Sequence, residues 1–292
     1  MINLYQLDKT QSSPLTLPDM SSLDMITRQI PDGYYSTFRT FAGGTRVLGL
    51  HAHLRRLYEP VSYADADASS LRRSLVQLLE PFRPDEARVR VMMTFDGQIY
   101  ISIEPLKRLP REVYEKGVRG ETTEIRRNSP RLKSTVFITA SDEERKHIAQ
   151  EGIFEALLVK NGKILEGMTS NFFYISPMHA STALVARNTP LSAQREALNT
   201  AERDILLGVT RRTVIHVARG RGVEVKYQPL KLDQLPAVKE AFITSSSRGI
   251  VPVIQIDDVM IGEGSPGKTT KMLMSAYAEY VLKHAEKISV VE

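Results

Sequence analysis

The chain has 292 residues, of which 42% are hydrophobic and 25% charged, as in an ordinary soluble globular protein of one large or two medium domains. It has no cysteine, which excludes disulfides and thiolate metal sites, and its net charge of +5 suits anionic ligands without indicating nucleic-acid binding. No apolar run is long enough to span a bilayer and the N-terminus lacks the basic-then-apolar pattern of a signal peptide, so we expect a cytoplasmic protein with no metal, membrane or nucleic-acid partner.

The first third of the chain predicts strands accompanied by two helices, which is an α+β pattern. Residues 33–41 alternate in polarity as a strand does, and Gly43-Gly44 provides the turn into a return strand. Residues 1–30 carry no clear signal, because Pro14 and Pro18 interrupt regular structure. The predicted elements are strands 33–41, 46–50, 88–94 and 98–103, a helix over 51–58, and a helix from Ser69 or Ser70 to Pro81.

Residues 105–110 combine two prolines with charge and no apolar period, which predicts a linker. We therefore expect a smaller N-terminal domain over 1–108 and a larger domain over 109–292. In the larger domain, residues 178–206 predict an irregular surface insertion that could include a short helix over 193–204. The other predicted elements are a helix from Ser141 to Gly152, a helix capped by Thr210 and ended by Gly220, strands 223–227, 241–244 and 251–256, and a helix over 268–283.

A β-hairpin is the clearest single element of the second part. Asn161-Gly162, a two-residue turn signal whose positions must tolerate φ > 0, separates the apolar run 157–160 from a return strand that starts at Ile164. That strand ends in Glu166, and the small polar cluster 169–171 leads into a further strand over 172–175. A lone carboxylate at a strand end is poor core material, but it could anchor a charged heterocycle.

The motif E-G-x-x-S-N-F-F at 166–173, placed after an N-G hairpin, resembles the class IV (fold type IV) pyridoxal-phosphate enzymes. That group contains branched-chain aminotransferases, D-amino-acid aminotransferases and aminodeoxychorismate lyases. Further stretches match in the expected order: H-L-R-R-L at 53–57, R-L-K-S at 131–134, L-G-V-T-R at 207–211 and T-S-S-S-R-G-I-V-P-V at 244–253. The resemblance implies a fold of two α/β domains, with a smaller N-terminal sandwich and a larger C-terminal pseudo-barrel.

The resemblance implies that Lys133 binds pyridoxal 5'-phosphate as a Schiff base and moves protons between substrate Cα and the cofactor. It places Glu166 against the pyridine nitrogen, where a carboxylate favours the protonated ring, with Asn171 in support. Without the family context, Lys133 reads as an exposed lysine of a basic stretch, Glu166 as a partner in a salt bridge, and Asn171 as a turn residue.

The resemblance also implies a phosphate site built from three separate stretches. Counting the H-x-x-R-L motif from His53 selects Arg56, rather than its neighbour Arg55, as the guanidinium that contacts the phosphate. The remaining phosphate donors are the N–H groups of Val209 and Thr210 at a helix start and the polar groups of Ser246 and Ser247. The alternative for Arg56 is an arginine on the helix surface, and the alternative for the two serines is a loop of small residues.

Substrate contacts are implied for Tyr35, Arg90, Arg88 and Ser247, although each could equally be a strand or loop residue without such a role. Three features depart from the family pattern. Ile138 stands where the branched-chain enzymes carry a tyrosine, Ser36 stands where a glutamate is frequent, and the insertion over 178–206 is unusual. These departures weaken the prediction of a branched-chain substrate, but they do not weaken the predictions of the fold and the cofactor.

The function implied is transfer of an amino group between an amino acid or amine and a 2-keto acid, in a homodimer whose sites are completed by the partner. Two alternatives stay open at this point. The first is a pyridoxal-phosphate lyase of the aminodeoxychorismate type on the same scaffold. The second is a non-catalytic basic module, which would bind polyanions in a salt-sensitive manner.

Overall fold

The computed structural model describes residues 1–8, 11–60, 68–177 and 196–288. The contacts divide the chain into two units, of which unit 1 comprises Met1–Arg108, Arg127–Glu143 and Glu279–Glu292, and unit 2 comprises Leu109–Arg126 and Glu144–Ala278. In this division two later segments belong with the first 108 residues, whereas the sequence predicts two continuous domains, 1–108 and 109–292. Those two domains stay a prediction.

The strands and helices of the described residues have the following bounds. The strands are β1 Asn3–Asp8, β2 Gln11–Leu15, β3 Gly33–Phe41, β4 Arg46–Val47, β5 Ala87–Thr94, β6 Ile99–Pro105, β7 Val118–Thr123, β8 Glu155–Lys160, β9 Lys163–Gly167, β10 Asn171–Pro177, β11 Glu196–Thr200, β12 Glu224–Tyr227, β13 Leu230–Lys231, β14 Glu240–Ser245, β15 Gly249–Ile256, β16 Val259–Met260 and β17 Glu286–Lys287. The helices are α1 Leu23–Arg28, α2 Leu50–Tyr58, α3 Ala68–Leu79, α4 Arg111–Lys116, α5 Val136–Ala140, α6 Asp142–Gln150, α7 Val209–Gly220 and α8 Lys268–His284. Within the described ranges, no helix is both long and apolar enough to cross a membrane.

The sheet of unit 1 has seven strands in the order β17-β4-β3-β5-β6-β1-β2. One core of this unit is formed by helices α2 and α3, whose leucines recur at helical spacing and therefore lie on one face of each helix. Burying each such leucine contributes about 1.5–3 kcal/mol, so this core accounts for the packing of both helices. Its buried members include Phe38, Val89 and Ile101 of the sheet, Leu50, Leu54 and Leu57 of α2, and Leu71, Leu75 and Leu79 of α3.

A second core in unit 1 includes residues from the first 30 positions, for which the sequence predicted no structure. Strand β1 pairs with both β6 and β2, and Pro14 is tolerated because β2 is an edge strand that pairs only with β1 among the described residues. Helix α1 begins after Ser22, whose hydroxyl accepts a hydrogen bond from Met25 N at 3.1 Å. The buried residues of this second core are Leu4, Ile26, Ile30, Tyr35, Met92 and Ile138.

Unit 2 is built on a sheet that closes on itself. The order is β12-β11-β10-β14-β15-β7-β8-β9-β13, and β10 also pairs with β9 through Asn171 and Glu166. Strands β10, β14, β15, β7, β8 and β9 therefore form a closed ring, the barrel expected from the family resemblance. Buried side chains such as Leu157, Ile164, Phe172, Ile243 and Val251 form its core.

Three expectations about local structure are wrong. Of the helix suggested over 193–204, residues 196–200 are strand β11, held between β10 and β12, because sheet pairing outweighs a weak helix propensity. Residues 201–204 are neither helix nor strand, and residues 178–195 lie outside the described residues. Gly208, and not Thr210, is the N-cap of α7. The return strand after the Gly43-Gly44 turn is β4 alone, because Gly49, at φ 65°, already caps α2.

Candidate functional site

In unit 1, Lys133 lies in a segment that pairs with the start of β3. Its carbonyl oxygen accepts a hydrogen bond from Tyr35 N at 2.9 Å, and two residues later Thr135 N donates to Gly33 O at 2.9 Å. Position 33 must be glycine, because a Cβ there would come within 2.0 Å of Met93 O. This pairing brings the two side chains together, with Lys133 Nζ 4.8 Å from the centroid of the Tyr35 ring.

The surroundings of Lys133 favour its neutral amine. The pKa of Lys133 is lowered to about 8, and burial is the largest cause. The positive charges of Arg56, Arg127 and Arg90 also lower this pKa, whereas Tyr35 raises it. Burial alone would raise the pKa of Tyr35, but the charges of Lys133, Arg90 and Arg127 outweigh it, so that this pKa lies below its ordinary value. An amine with a pKa near 8 has a substantial nucleophilic fraction at neutral to mildly alkaline pH.

Arg56 lies in α2 and is close enough for its charge to lower the pKa of Lys133, whereas Arg55 is exposed. The helix is held on β3 by buried leucines and by His53, whose Nδ1 lies 2.9 Å from the hydroxyl of Ser36. The phosphate contact of Arg56 stays a prediction, and its placement beside Lys133 is compatible with it.

Arg90, one of the predicted substrate contacts, is buried and used within the chain. Its guanidinium lies 4.8 Å from the centroid of the Tyr35 ring. It forms an ion pair with Asp24 at 2.8 Å and donates to Leu23 O, Thr27 Oγ1 and Thr37 Oγ1 at 3.0, 2.8 and 3.2 Å.

Arg88, two residues earlier on β5, pairs with Glu104 at 3.0 Å. Burial lowers the pKa of Arg88, and the charge of Arg90 adds to that shift. The substrate roles of Arg88 and Arg90 stay predictions. Both guanidinium groups already have carboxylate partners within the chain.

In unit 2, the motif E-G-x-x-S-N is a hairpin between β9 and β10. Glu166 and Asn171 are paired positions on the two strands, so their side chains meet: Asn171 Nδ2 donates to Glu166 Oε2 at 3.3 Å. The same Glu166 oxygen accepts from Leu206 N at 2.9 Å, and Asn171 Nδ2 donates to Leu206 O at 2.7 Å. These contacts orient a carboxylate that is 1% exposed.

The start of α7 lies against this hairpin. A Cβ at Gly208 would come 2.3 Å from Asn171 Oδ1, so only glycine fits there. Because Gly208 has no side chain to cap α7, the first-turn N–H groups at Val209 and Thr210 favour an anion. Thr210 Oγ1 lies 3.4 Å from Ser246 Oγ, so two predicted phosphate residues are neighbours.

Ser246 and Ser247 belong to a three-residue hairpin loop. Ser245 of β14 pairs with Gly249 of β15, and Gly249 has φ 71°, as expected for a loop of this length that closes with a left-handed residue. Both serines lie on a loop after a strand, a position compatible with the predicted phosphate contact and also with the alternative of a small-residue loop. The contacts of Ser247 with phosphate and substrate stay predictions.

Three participants were not predicted from the sequence: the backbone of Leu206, Gly208 and Arg127. The glycine of L-G-V-T-R was the available signal for the second. The basic stretch that contains Arg127 was the signal for the third. Leu206 acts through its main chain, which leaves no signal in the sequence.

The polar groups of unit 2 suit an aromatic phosphate ester. A buried carboxylate and a helix start are adjacent there, and the hydroxyls of Ser170 and Thr244 are buried with no hydrogen-bond partner among the described residues. Thr244 is the paired position of Asn171 across β10 and β14. Buried hydroxyls of this kind are places where polar atoms of a ligand complete the hydrogen bonding.

Comparison with known proteins agrees with this chemistry. The family described as amino-transferase class IV matches residues 33–256, which is more than half of the chain. The chain belongs to the class IV aminotransferases. The family predicted from the sequence motifs is thereby confirmed, together with an aminotransferase fold and the pyridoxal-phosphate cofactor of that family.

The similar proteins differ in the reactions for which they are named. A D-alanine aminotransferase of Bacillus licheniformis is 25% identical over 281 residues, which cover 89% of this class IV chain and 91% of that protein. An aminodeoxychorismate lyase of Bacillus subtilis is 27% identical over 272 residues, which cover 85% of each protein. The solved structure of a branched-chain aminotransferase from the archaeon Thermoproteus uzoniensis with norvaline aligns over 98% of this chain and 99% of that one, with a TM-score of 0.74 and 19% identity, which shows the shared fold.

Proposed function

We propose that this class IV enzyme transfers an amino group between an amino acid or amine and a 2-keto acid, with pyridoxal 5'-phosphate bound at Lys133. The observation that carries the proposal is the amine of Lys133, whose pKa lies near 8 and whose backbone is held against Tyr35 by paired hydrogen bonds. When bound, pyridoxal phosphate supplies a carbonyl that reacts with amines and a ring that withdraws electrons from substrate Cα.

In this proposal Lys133 has two duties. Its Nζ holds the cofactor, and it also takes the proton from substrate Cα and returns it during transfer. Both duties require a neutral amine at working pH, which the desolvation of Lys133 and the neighbouring arginines favour. Tyr35, whose ring lies 4.8 Å from Nζ, is proposed to contact the substrate.

Glu166 is proposed to face the pyridine nitrogen. Its Oε2 is oriented by N–H donors of Leu206 and Asn171, so the carboxylate is held without side-chain rotation. A fixed carboxylate favours a proton on the ring nitrogen by Coulomb attraction. Asn171 is thus proposed to act by orienting Glu166.

The phosphate is proposed to be bound by the guanidinium of Arg56, the N–H groups at Val209 and Thr210, and the polar groups of Ser246 and Ser247. The adjacency of Thr210 and Ser246, at 3.4 Å, supports this assignment. Charge-assisted hydrogen bonds contribute about 1.5–3 kcal/mol each, which is enough to retain a phosphate ester firmly.

A lyase reaction is the second candidate, because the relative from Bacillus subtilis is an aminodeoxychorismate lyase of similar length. The two reactions differ in their acceptor. A transaminase whose cofactor carries the amino group returns to its starting spectrum when 2-oxoglutarate or pyruvate is added, whereas a lyase releases pyruvate and needs no keto acid. A panel of L- and D-amino acids and (R)-amines, followed through the cofactor spectrum, would identify the donor.

We also infer that the enzyme is a homodimer in which each site is completed by the partner, and that it resides in the cytoplasm. The first inference rests on the family resemblance, and the second on the cysteine-free composition. A basic binding module would instead be colourless and would bind polyanions in a salt-sensitive manner.

The test of the proposal is to locate the covalent cofactor. Borohydride reduction of the full chain with pyridoxal phosphate, followed by peptide mapping, should place the adduct on Lys133. Lys133→Ala should lose the cofactor absorbance and turnover, and Lys160→Ala, a matched change at an exposed lysine, should keep both. An adduct on Lys107, Lys160 or any other lysine would contradict the assignment.

A further inference from the structure

At one end of the barrel in unit 2, an ion pair joins the start of β8 to a hairpin loop, and both of its members also contact another hairpin loop. Arg248 Nη2 lies 3.0 Å from Glu155 Oε2, and the two side chains are 22% and 2% exposed. Glu155 is the first residue of β8, and strand β9 ends and β10 starts at the same end of the barrel because neighbouring strands there are antiparallel. The hairpin loop between β14 and β15 lies at this end as well.

The first loop, 167–170, connects Glu166 to Asn171. Glu155 binds its tip, accepting hydrogen bonds from Thr169 N at 3.1 Å and from the Thr169 hydroxyl at 2.6 Å. The fit is close, because a Cβ at Gly167 would come 2.9 Å from Glu155 Cγ. The carboxylate of Glu155 therefore fixes the loop on which the positions of Glu166 and Asn171 depend.

The second loop, 246–248, carries Ser246, the neighbour of Thr210 at the start of α7. Arg248 closes this loop by donating from Nε to Ser245 Oγ at 3.1 Å, and its carbonyl oxygen accepts from the hydroxyl of Tyr114 at 2.9 Å. Arg248 Nη2 also donates to Thr169 Oγ1 at 2.6 Å. One guanidinium thus holds together the loop 246–248, called the serine loop, and the loop 167–170, called the glutamate loop.

The cofactor requires both loops at once. Under the proposed function, the glutamate loop orients the carboxylate for the ring, and the serine loop supplies donors for the phosphate. Ring and phosphate are parts of one molecule, so binding of the second part is favoured only while the two protein sites stay at the matching separation. A charge pair with one buried member holds two segments together firmly, because separating the charges would leave the buried charge without compensation.

We propose that Glu155 and Arg248 are positioning residues that set the separation between the glutamate loop and the serine loop, and so determine the affinity for the intact cofactor. Neither residue contacts the cofactor in this proposal. The inference rests on the proposed function, and it assigns a role to an ion pair that the transfer chemistry itself does not use.

The test compares three probes on the full chain stripped of cofactor: pyridoxal 5'-phosphate, pyridoxal without its phosphate, and inorganic phosphate. Arg248→Met should weaken pyridoxal 5'-phosphate by about tenfold or more, while each of the two part-probes changes by less than about threefold. Glu155→Gln should do the same, and the double variant should bind no more weakly than the worse single variant, because the two residues act as a unit.

Several controls make the result decisive. Lys239→Met removes another ion pair of unit 2, between Lys239 and Glu196 at 3.0 Å, and should leave all three affinities unchanged. Arg248→Lys keeps the charge and should restore part of the lost affinity. Thr169→Val, at an exposed position, removes only the hydroxyl bridge and still tests the proposal if Arg248→Met does not fold.

Two results would overturn the inference while leaving the proposed function in place. One is unchanged pyridoxal 5'-phosphate affinity in Arg248→Met and Thr169→Val. The other is equal weakening of all three probes together with a lower Tm, which is the signature of a general structural role. If the wild-type chain binds no pyridoxal 5'-phosphate and shows no cofactor absorbance, the proposed function fails, and the inference with it.

Discussion

The amine of Lys133 is buried close to several positive charges. Burial and the charges of Arg56, Arg127 and Arg90 disfavour its protonated form, whereas Tyr35 favours that form. Such an arrangement disfavours the ammonium in the absence of ligand, and a bound anion would relieve the repulsion. The residue proposed to serve the reaction thus works against the stability of the fold.

Lys133→Met should therefore stabilise the cofactor-free chain at pH 7. The pKa of Lys133 falls from 10.5 to about 8 on folding, so between these pH values the unfolded chain binds more protons and the stability of the wild type rises with pH. We expect the variant to have a higher free energy of unfolding at pH 7, by on the order of 1–3 kcal/mol, with the gap closing towards pH 10.5. Urea unfolding of both chains from pH 7 to 10.5 measures this, and a pH-independent gap would contradict it.

At the scale of elements, the site in unit 2 depends on how α7 begins. Gly208 has φ −61°, a conformation open to any residue, so alanine would be excluded there by its Cβ alone. That Cβ would stand 2.3 Å from Asn171 Oδ1, and Asn171 is held by Glu166 and Leu206. The helix start and the carboxylate hairpin are thus locked to each other by contact.

Gly208→Ala should displace the Asn171 side chain, with a loss of about 1–3 kcal/mol in the free energy of unfolding and weaker binding of pyridoxal phosphate. The matched control is Gly220→Ala at the other end of the same helix, where a Cβ meets nothing within 4 Å. That control should be neutral or slightly stabilising, since alanine is the better helix former. Urea unfolding and cofactor titration measure both effects. Equal behaviour of the two variants would show that the contact with Asn171 does not matter.

At the scale of the whole molecule, the proposed homodimer predicts a mass and an activity. Light scattering should give twice the chain mass of 32.8 kDa across the concentrations used for assay. Two-fold pairing is the commonest oligomer of soluble proteins, and it would allow each partner to complete the other's site. Dilution that separates the subunits should then reduce turnover. A monomer with full activity would refute both parts of the proposal.

Patterns between near neighbours in the sequence determined much of this protein. Alternating polarity predicted β3, and the Asn161-Gly162 turn predicted a hairpin whose central residues have φ 53° and 67°. The order of the motifs identified the family and its cofactor. These signals are readable because turn chemistry and side-chain periodicity act over a few residues.

The tertiary structure alone decided what depends on distant segments. Strand β11 forms because β10 and β12 lie beside it, and the barrel closes through the pairing of Glu166 with Asn171. Glu155 and Arg248 meet although 93 positions separate them. The pKa of Lys133 is likewise set by burial and by charges from distant segments. A sequence read locally holds no record of such contacts, because they arise only when the sheet order and the closure of the barrel bring those segments together.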